Sequence, residues 1–386
     1  MVDKTSAVNN QHSPSLSSVD HAPSLPLDLV EEEILPRLPV KLLVQIRCVC
    51  KSWNSLISNL KFAKKHLLMS TTRRLYFLGA YNPFQRNMIT SCPLQSVYTT
   101  VSTKLEYPPD ICRYSIVGSC NGILCVVHDA YSSKSSIQLW NPSIRKVREL
   151  PPFGEPPHPS YSHNYGFGYD SVTDNYKVVV VSFYRTPDDE FTDKTEVKVN
   201  TLGTNFWKNM QEFPFGTPDC IGSGTFVSGT INWVASKHWH ESPCFIVSLD
   251  LGKESFRKVL LPDLEEVDAS MLYLSVLRDC LCMTYDHDVW IMKDYGNKES
   301  WTKLFTVSYM RDPSKSYDLT EIVYMFEDGQ VLLQTLGGDW YSKLILYDPR
   351  IGTFKFIEFQ NNNICDPIAR DGPKVCIESL ISPCSF

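Results

Sequence analysis

The sequence predicts a small all-α module followed by an all-β, propeller-like domain of about six four-stranded blades. Three observations carry this. Helical periodicity is confined to the stretch from Leu25 to Leu60. From Arg73 onward, short β-branched or aromatic runs alternate with Gly, Asn, Asp and Pro. The turn residues ahead of those runs recur at a nearly constant interval, which is how a repeated architecture shows itself. The expected division is a disordered polar tail at 1–22, the helical module at 23–69 and the β domain at 70–386.

The opening residues are rich in Ser, Asn and Pro and lack both an apolar leader core and an Arg-rich amphipathic pattern. No apolar stretch approaches membrane-spanning length, and no Asn-x-Ser/Thr acceptor has a permissible middle residue. A cytoplasmic or nuclear protein with no membrane association is expected. Of the 386 residues 43% are hydrophobic, ample for a core, and the net charge of -6 argues against nucleic acid as partner, because phosphate binding needs concentrated Lys and Arg. The 13 cysteines are odd in number, form no C-x-x-C pair and often sit in apolar runs, so buried free thiols are expected.

In the first module, Asp28 with Glu31 three residues on is a capping-box spacing, and Glu31, Glu32 and Glu33 put negative charge at a helix N-terminus. Leu29, Ile34, Leu35 and Leu38 form its apolar side, while Pro36 and Pro39 force a new start. Leu42, Ile46, Val49, Trp53, Leu56 and Leu60 then step by threes and fours along one helical face. Two or three short helices result. Fewer than fifty residues bury too little to stand alone, so the remaining apolar surface must meet the neighbouring domain or a partner.

In the β domain, Gly122, Asn175, Gly229, Asp279 and Gly329 each precede an apolar run and are spaced 53, 54, 50 and 50 residues apart. A second set of turns leads to Val147, Trp207, Phe256 and Phe354, with Trp301 in the same role. Two tight hairpins per unit give four strands. The run from Val375 to Ile381 is expected to close the ring by pairing near Leu75, Tyr76 and Phe77, because closure removes exposed strand edges.

Residues that could carry chemistry are few. His238, Trp239 and His240 with Cys244 nearby lack the ligand spacing of zinc motifs and read as a polar, aromatic loop. Gly166-Phe167-Gly168 lacks the third glycine and following helix of a dinucleotide fingerprint, leaving a strand edge and turn. Asp188-Asp189, Glu265-Glu266 and Asp286-His287-Asp288 lie beside turn signals and read as solvated loops. No catalytic residue, metal site or cofactor is expected.

Leu25-Pro26-x-Asp28-Leu29, Ile34-Leu35-x-x-Leu38-Pro39-Val40-Lys41, Val49-Cys50-Lys51-x-Trp53 and Leu56-Ile57 closely resemble the F-box in its plant form. Gly118-Ser119-Cys120-Asn121-Gly122-Ile123-Leu124, Leu139-Trp140-Asn141-Pro142, Tyr165 to Asp170 and Asn175 to Val179 are similar to the plant F-box-associated domain, a propeller of kelch-like size. The Gly-Gly doublet of kelch repeats proper occurs once, at Gly337-Gly338. The resemblance implies a three-helix F-box whose Leu25, Pro26, Leu29, Ile34, Leu38, Pro39 and Val40 meet a Skp-type adaptor, and through it cullin and RING subunits. Trp53 joins that set or packs the module's own core. It also implies a substrate-recognition subunit of a ubiquitin ligase, in which the propeller recruits a target protein and other subunits carry out ubiquitin transfer. A propeller-fold enzyme and a non-degradative F-box scaffold are the competing readings.

In an up-and-down blade, the first and third connections share one face and the second connection shares the other with the inter-blade links. Long segments here fall in the second set: Asp129 to Ser135, Arg185 to Lys194, Ser236 to Ser242 and Leu336 to Asp339, with links such as Pro151 to Asn164. That loop face collects Tyr161, His163, His238, Trp239, His240, Trp340 and Tyr341, the residue types of binding hot spots, and is the expected substrate surface.

Overall fold

Helical structure occupies residues 27–37, then Val40–Ile46, Lys51–Ile57 and Leu60–Met69, in a computed structural model that describes residues 25–80, 87–97, 103–104, 114–130, 133–154, 161–186, 189–214, 216–218, 222–236, 244–264, 267–307, 317–337, 342–357 and 372–386. The first segment begins one residue before Asp28, behind Pro26, so no capping box forms; Asp28 lies in the first turn, where its charge still faces the positive end of the helix. Pro36 falls in the closing turn and Pro39 precedes the next helix, which sets the break between them. The long apolar face from Leu42 to Leu60 divides because Cys50 and Asn59 are extended and act as caps: Cys50 Sγ accepts from Trp53 N and Asn59 Oδ1 from Lys61 N at 2.8 Å. The last helix lies beyond the two or three that the sequence predicts. Among the described residues no helix is long and apolar enough to cross a membrane.

The β domain is a six-bladed propeller of antiparallel sheets. The second blade comprises Ser115–Cys120, Ile123–Ala130, Ser133–Asn141 and Lys146–Glu149, from the axis outward. The third, fifth and sixth repeat this order, beginning at Tyr161–Asp170, Leu272–Leu277 and Tyr317–Met325. The fourth has its inner strand split into Thr217–Pro218 and Thr225–Val227, both paired with Thr230–Ser236. The first blade takes its innermost strand, Lys374–Ile377, from the far end of the chain: Leu75 pairs with Val375 and Arg74 with Cys376. That is the closure predicted from the sequence. Asn121-Gly122, Ser228-Gly229 and Arg278-Asp279 turn with two positive φ values each, matching the right-handed twist of their strands.

Adjacent blades bury their facing side chains. On the inner strand of the third blade, Tyr165 and Phe167 pack toward the second blade, whereas a Cβ at Gly168 would lie 2.2 Å from Phe226 of the fourth. The alternation of aromatic and glycine therefore lets two blades approach at different depths. The predicted outer-strand aromatics anchor the ring: Trp207 Nε1 donates to Pro151 O at 2.8 Å and Trp301 Nε1 to Leu260 O at 3.0 Å, each reaching the chain that leaves the preceding blade. All ten described cysteines are free; six are buried, and Cys48, Cys50 and Cys384 are exposed.

The helical module and the propeller share one core. Leu35, Val40, Leu43, Ile57, Phe62 and Ala63 form a continuous cluster with Ile123 and Phe167 of the blades and with Leu380 and Ile381 beyond the closing strand. Each such side chain contributes about 1.5–3 kcal/mol of burial, so half of the disjunction posed by the sequence is answered by the neighbouring domain.

Candidate functional site

Strand direction fixes where the module sits. Arg73–Ala80 occupies the second position of its blade, so it starts at the tight-turn face, and Lys374–Ile377 runs antiparallel to it and ends there. The helices and residues 378–386 both emerge on that face. Lys64 pairs with Asp174, which lies in the first tight turn of the third blade. Glu378 N donates to Thr72 O at 2.9 Å and Ser70 Oγ to Glu378 O at 2.9 Å.

Residues 378–386 are wedged between module and blades. Buried Asn141 donates from Nδ2 to Ser379 O (3.0 Å) and Ile381 O (2.7 Å), and Ser379 Oγ donates to Asn121 O (2.8 Å). Gly122, at φ +86°, leaves the space that Ser379 fills. Ser119 Oγ donates to Val375 O at 2.8 Å. The Gly118–Leu124 and Leu139–Pro142 stretches thus grip the closing strand and the chain segment beyond it.

On its outer side the module presents an apolar surface. Of the residues expected to meet an adaptor, Leu25, Pro26, Leu29, Ile34 and Pro39 are exposed; Leu25 is 61% accessible. Val40 is 2% exposed and belongs to the shared core, and Leu38 and Trp53 are half-buried against it, so these three support the surface from beneath. The carbonyl of Leu38 accepts from Nε2 of buried His66 at 3.0 Å, and burial lowers the imidazole pKa, which keeps the ring neutral. Leu27, Leu42 and Val49 are also exposed, which the sequence reading missed. Leu42 and Val49 lie on the helical face whose other members, Ile46, Trp53, Leu56 and Leu60, pack against the shared core. A run of exposed leucines at one site marks an interaction surface.

At the opposite end, Tyr161 and His163 lie on the inner strand of the third blade, both half-buried. Their ring centroids lie 4.9 Å apart with the planes tilted by 48°, and Phe153 meets His163 edge-on at 5.1 Å. His163 Nδ1 is 2.9 Å from Ser182 Oγ. These rings form one aromatic step rather than free anchors. His238, Trp239, His240, Trp340 and Tyr341 lie outside the described residues. Cys244 is buried, with Sγ toward Val267 O at 3.6 Å, and among the described residues no three His, Cys, Asp or Glu side chains converge to hold a metal.

The inner strands enclose an axial cavity of about 1630 Å³. Across its seam Lys374 Nζ sits 3.3 Å from Glu321 Oε1, tying the closing strand to the sixth blade. This is opposite-charge pairing at a blade junction, not the paired nucleophile and base of an active site.

A short helical module is thus fused to the turn face of a six-bladed propeller and presents an apolar surface on its outer side. The F-box domain family model matches residues 23–65 and that of the F-box associated beta propeller domain matches residues 86–382. The chain belongs to the F-box proteins that carry this associated propeller. It is 31% identical over 377 residues to an F-box/kelch-repeat protein of Arabidopsis thaliana, covering 93% of this chain and 96% of that one. It is 26% identical to another Arabidopsis F-box protein (87% and 88% covered) and 30% identical to the Arabidopsis F-box protein CPR1 (84% and 82% covered).

Proposed function

We propose that this protein is the substrate-recognition subunit of a Skp–cullin–F-box ubiquitin ligase. The exposed leucines of the F-box bind a Skp-type adaptor, which brings cullin and RING subunits, and the propeller's loop face captures the protein to be ubiquitinated and degraded. What supports this reading is that the apolar surface lies on the tight-turn side while the links between successive blades run on the opposite side; the long second connections expected at Asp129 to Ser135 and Arg185 to Lys194 are instead mostly strand, which resumes at Ser133 after Ala130 and at Asp189 after Thr186. An adaptor and a substrate therefore bind without competing. The chain itself performs no transfer chemistry in this reading; it sets the position of a target.

Leu25→Asp with Leu29→Asp tests the adaptor end, since both side chains are exposed and their replacement leaves the shared core intact. Adaptor copurification should be lost while the unfolding temperature is kept; undiminished recovery refutes the assignment. Tyr161→Ala, Trp239→Ala and Trp340→Ala test the other end. At least one should lose substrate capture with adaptor binding intact. A target that is captured but not shortened in half-life when cullin copurifies would favour a scaffold role.

A further inference from the structure

At the seam where the F-box meets the second blade lies a pocket of about 150 Å³, walled by Ile57, Leu60 and Ile144 and by polar side chains. Those polar side chains are Arg47 and Lys146, from opposite sides of the seam, with the hydroxyls of Ser58, Ser382 and Ser385. No carboxylate is among the lining residues. Arg47 spends its hydrogen bonds on two neutral acceptors, Ser58 Oγ and Asn54 Oδ1, and among the described residues neither Arg47 nor Lys146 has an acidic partner. Arg148, two residues from Lys146, is turned away to Pro383 O (3.3 Å) and Phe386 O (2.7 Å), so Arg47 and Lys146 are the two cations of the pocket. Ser382 Oγ accepts from Cys384 N at 3.2 Å, which leaves its own proton to donate.

We propose that this seam pocket binds a phosphoryl group, held by Arg47 and Lys146 and by the hydroxyls at Ser382 and Ser385. Two cations without counter-charges beside hydroxyl donors form the complement of a tetrahedral dianion, for which guanidinium and ammonium groups give charge-assisted hydrogen bonds. The volume exceeds what several waters occupy, so the group fits without displacing the core. Arg47 belongs to the F-box and Lys146 to the propeller, so an anion between them fastens the two modules together. The phosphoryl group comes from a phosphorylated small molecule or from modification of Ser382 or Ser385. In the second case a protein kinase transfers the γ-phosphoryl of a nucleoside triphosphate to the serine Oγ, the bond to the β-phosphate oxygen breaks, and the nucleoside diphosphate and the hydroxyl proton leave.

The test uses the full chain bound to its Skp-type adaptor, with Lys146→Gln as the reference variant, since Lys146 is exposed and lies outside both proposed binding surfaces. Inorganic phosphate, added at ionic strength matched with chloride, should raise the unfolding temperature saturably in the native protein and not in K146Q, which assigns the site to a free ligand. Alternatively phosphate has no effect, but protein from eukaryotic cells carries a phosphoryl group at Ser382 or Ser385, and phosphatase treatment lowers its unfolding temperature in the native sequence and not in K146Q. That result assigns the covalent source. A shift of equal size in K146Q, or no stabilisation by either route, overturns the proposal.

Discussion

Replacing Asn141 by Leu should loosen the far end of the chain from the blades and, with it, the seat of the F-box. The side chain is fully buried, and its Nδ2 group supplies two carbonyls of the closing segment at once, Ser379 O at 3.0 Å and Ile381 O at 2.7 Å. Leucine has nearly the same reach but no donor, so both carbonyls stay buried and unmatched, at about 1–3 kcal/mol each. The expected cost is about 2–6 kcal/mol, a large share of a typical domain stability of about 5–15 kcal/mol. Asn141→Asp sharpens the reasoning. Aspartate keeps the oxygen that accepts from Ser143 N at 2.8 Å but turns acceptor against acceptor at the two carbonyls, so it should be worse than leucine. Urea unfolding gives the stability, and amide exchange over residues 378–386 reports the local release. An unchanged midpoint with unchanged protection, or an Asp variant more stable than the Leu one, would refute the role given to this residue.

Removing residues 371–386 takes away the inner strand of the first blade and bares the edge at Arg73–Ala80, so the unfolding temperature and solubility should fall sharply; an unaltered melting curve would mean the ring does not depend on that strand. Lys177, 4% exposed, joins Asp170 and Glu254 at the junction of the third and fourth blades, and Lys177→Met should cost about 3 kcal/mol by leaving Asp170 buried without its cation. Adding Asp170→Asn should restore part of that loss in chemical unfolding, and failure to do so would locate the defect elsewhere. Burial raises the Glu378 pKa against the opposing pull of Arg74, so the folded chain binds this proton more tightly than the unfolded one. Its contribution therefore favours folding at low pH and is lost as pH rises from the ordinary glutamate range through the raised folded value. Glu378→Gln should flatten that part of the stability profile and raise stability at neutral pH, and parallel profiles for the two proteins would count against it.

Local signals made much of this fold legible. The fifty-residue turn spacing pointed to about six blades, because each two-residue turn needs residues that accept positive φ and each second strand, buried between its neighbours, needs an apolar run. The closing strand was visible for the same reason, as the β-branched run Val375-Cys376-Ile377 with no partner of its own nearby. What could not be seen depends on contacts between distant segments. Nothing near Val40 indicates that it faces Ile123 and Leu380 rather than an adaptor, and nothing near Leu42 or Val49 indicates exposure. The split inner strand of the fourth blade, and the extension of strand through Asp129–Ala130 and Ser133–Ser135 where a loop is expected, likewise have no periodic signature. Asn141 and Gly122 could be quoted as parts of a motif, but their purpose lies some 240 residues away in the segment they hold.

That long-range grip bears on how the two ends of the protein are related. Only residues 70–72 separate the last helix from the first strand, and the helices lean on blade turns and on Leu380 and Ile381 instead of swinging from a linker. The direction from adaptor surface to loop face is therefore set by packing across one core, in which Lys64–Asp174, Asn141 and Ser379 each oppose rotation of the module. If the proposed function holds, a target on the far face of the propeller would sit at a fixed position relative to the adaptor.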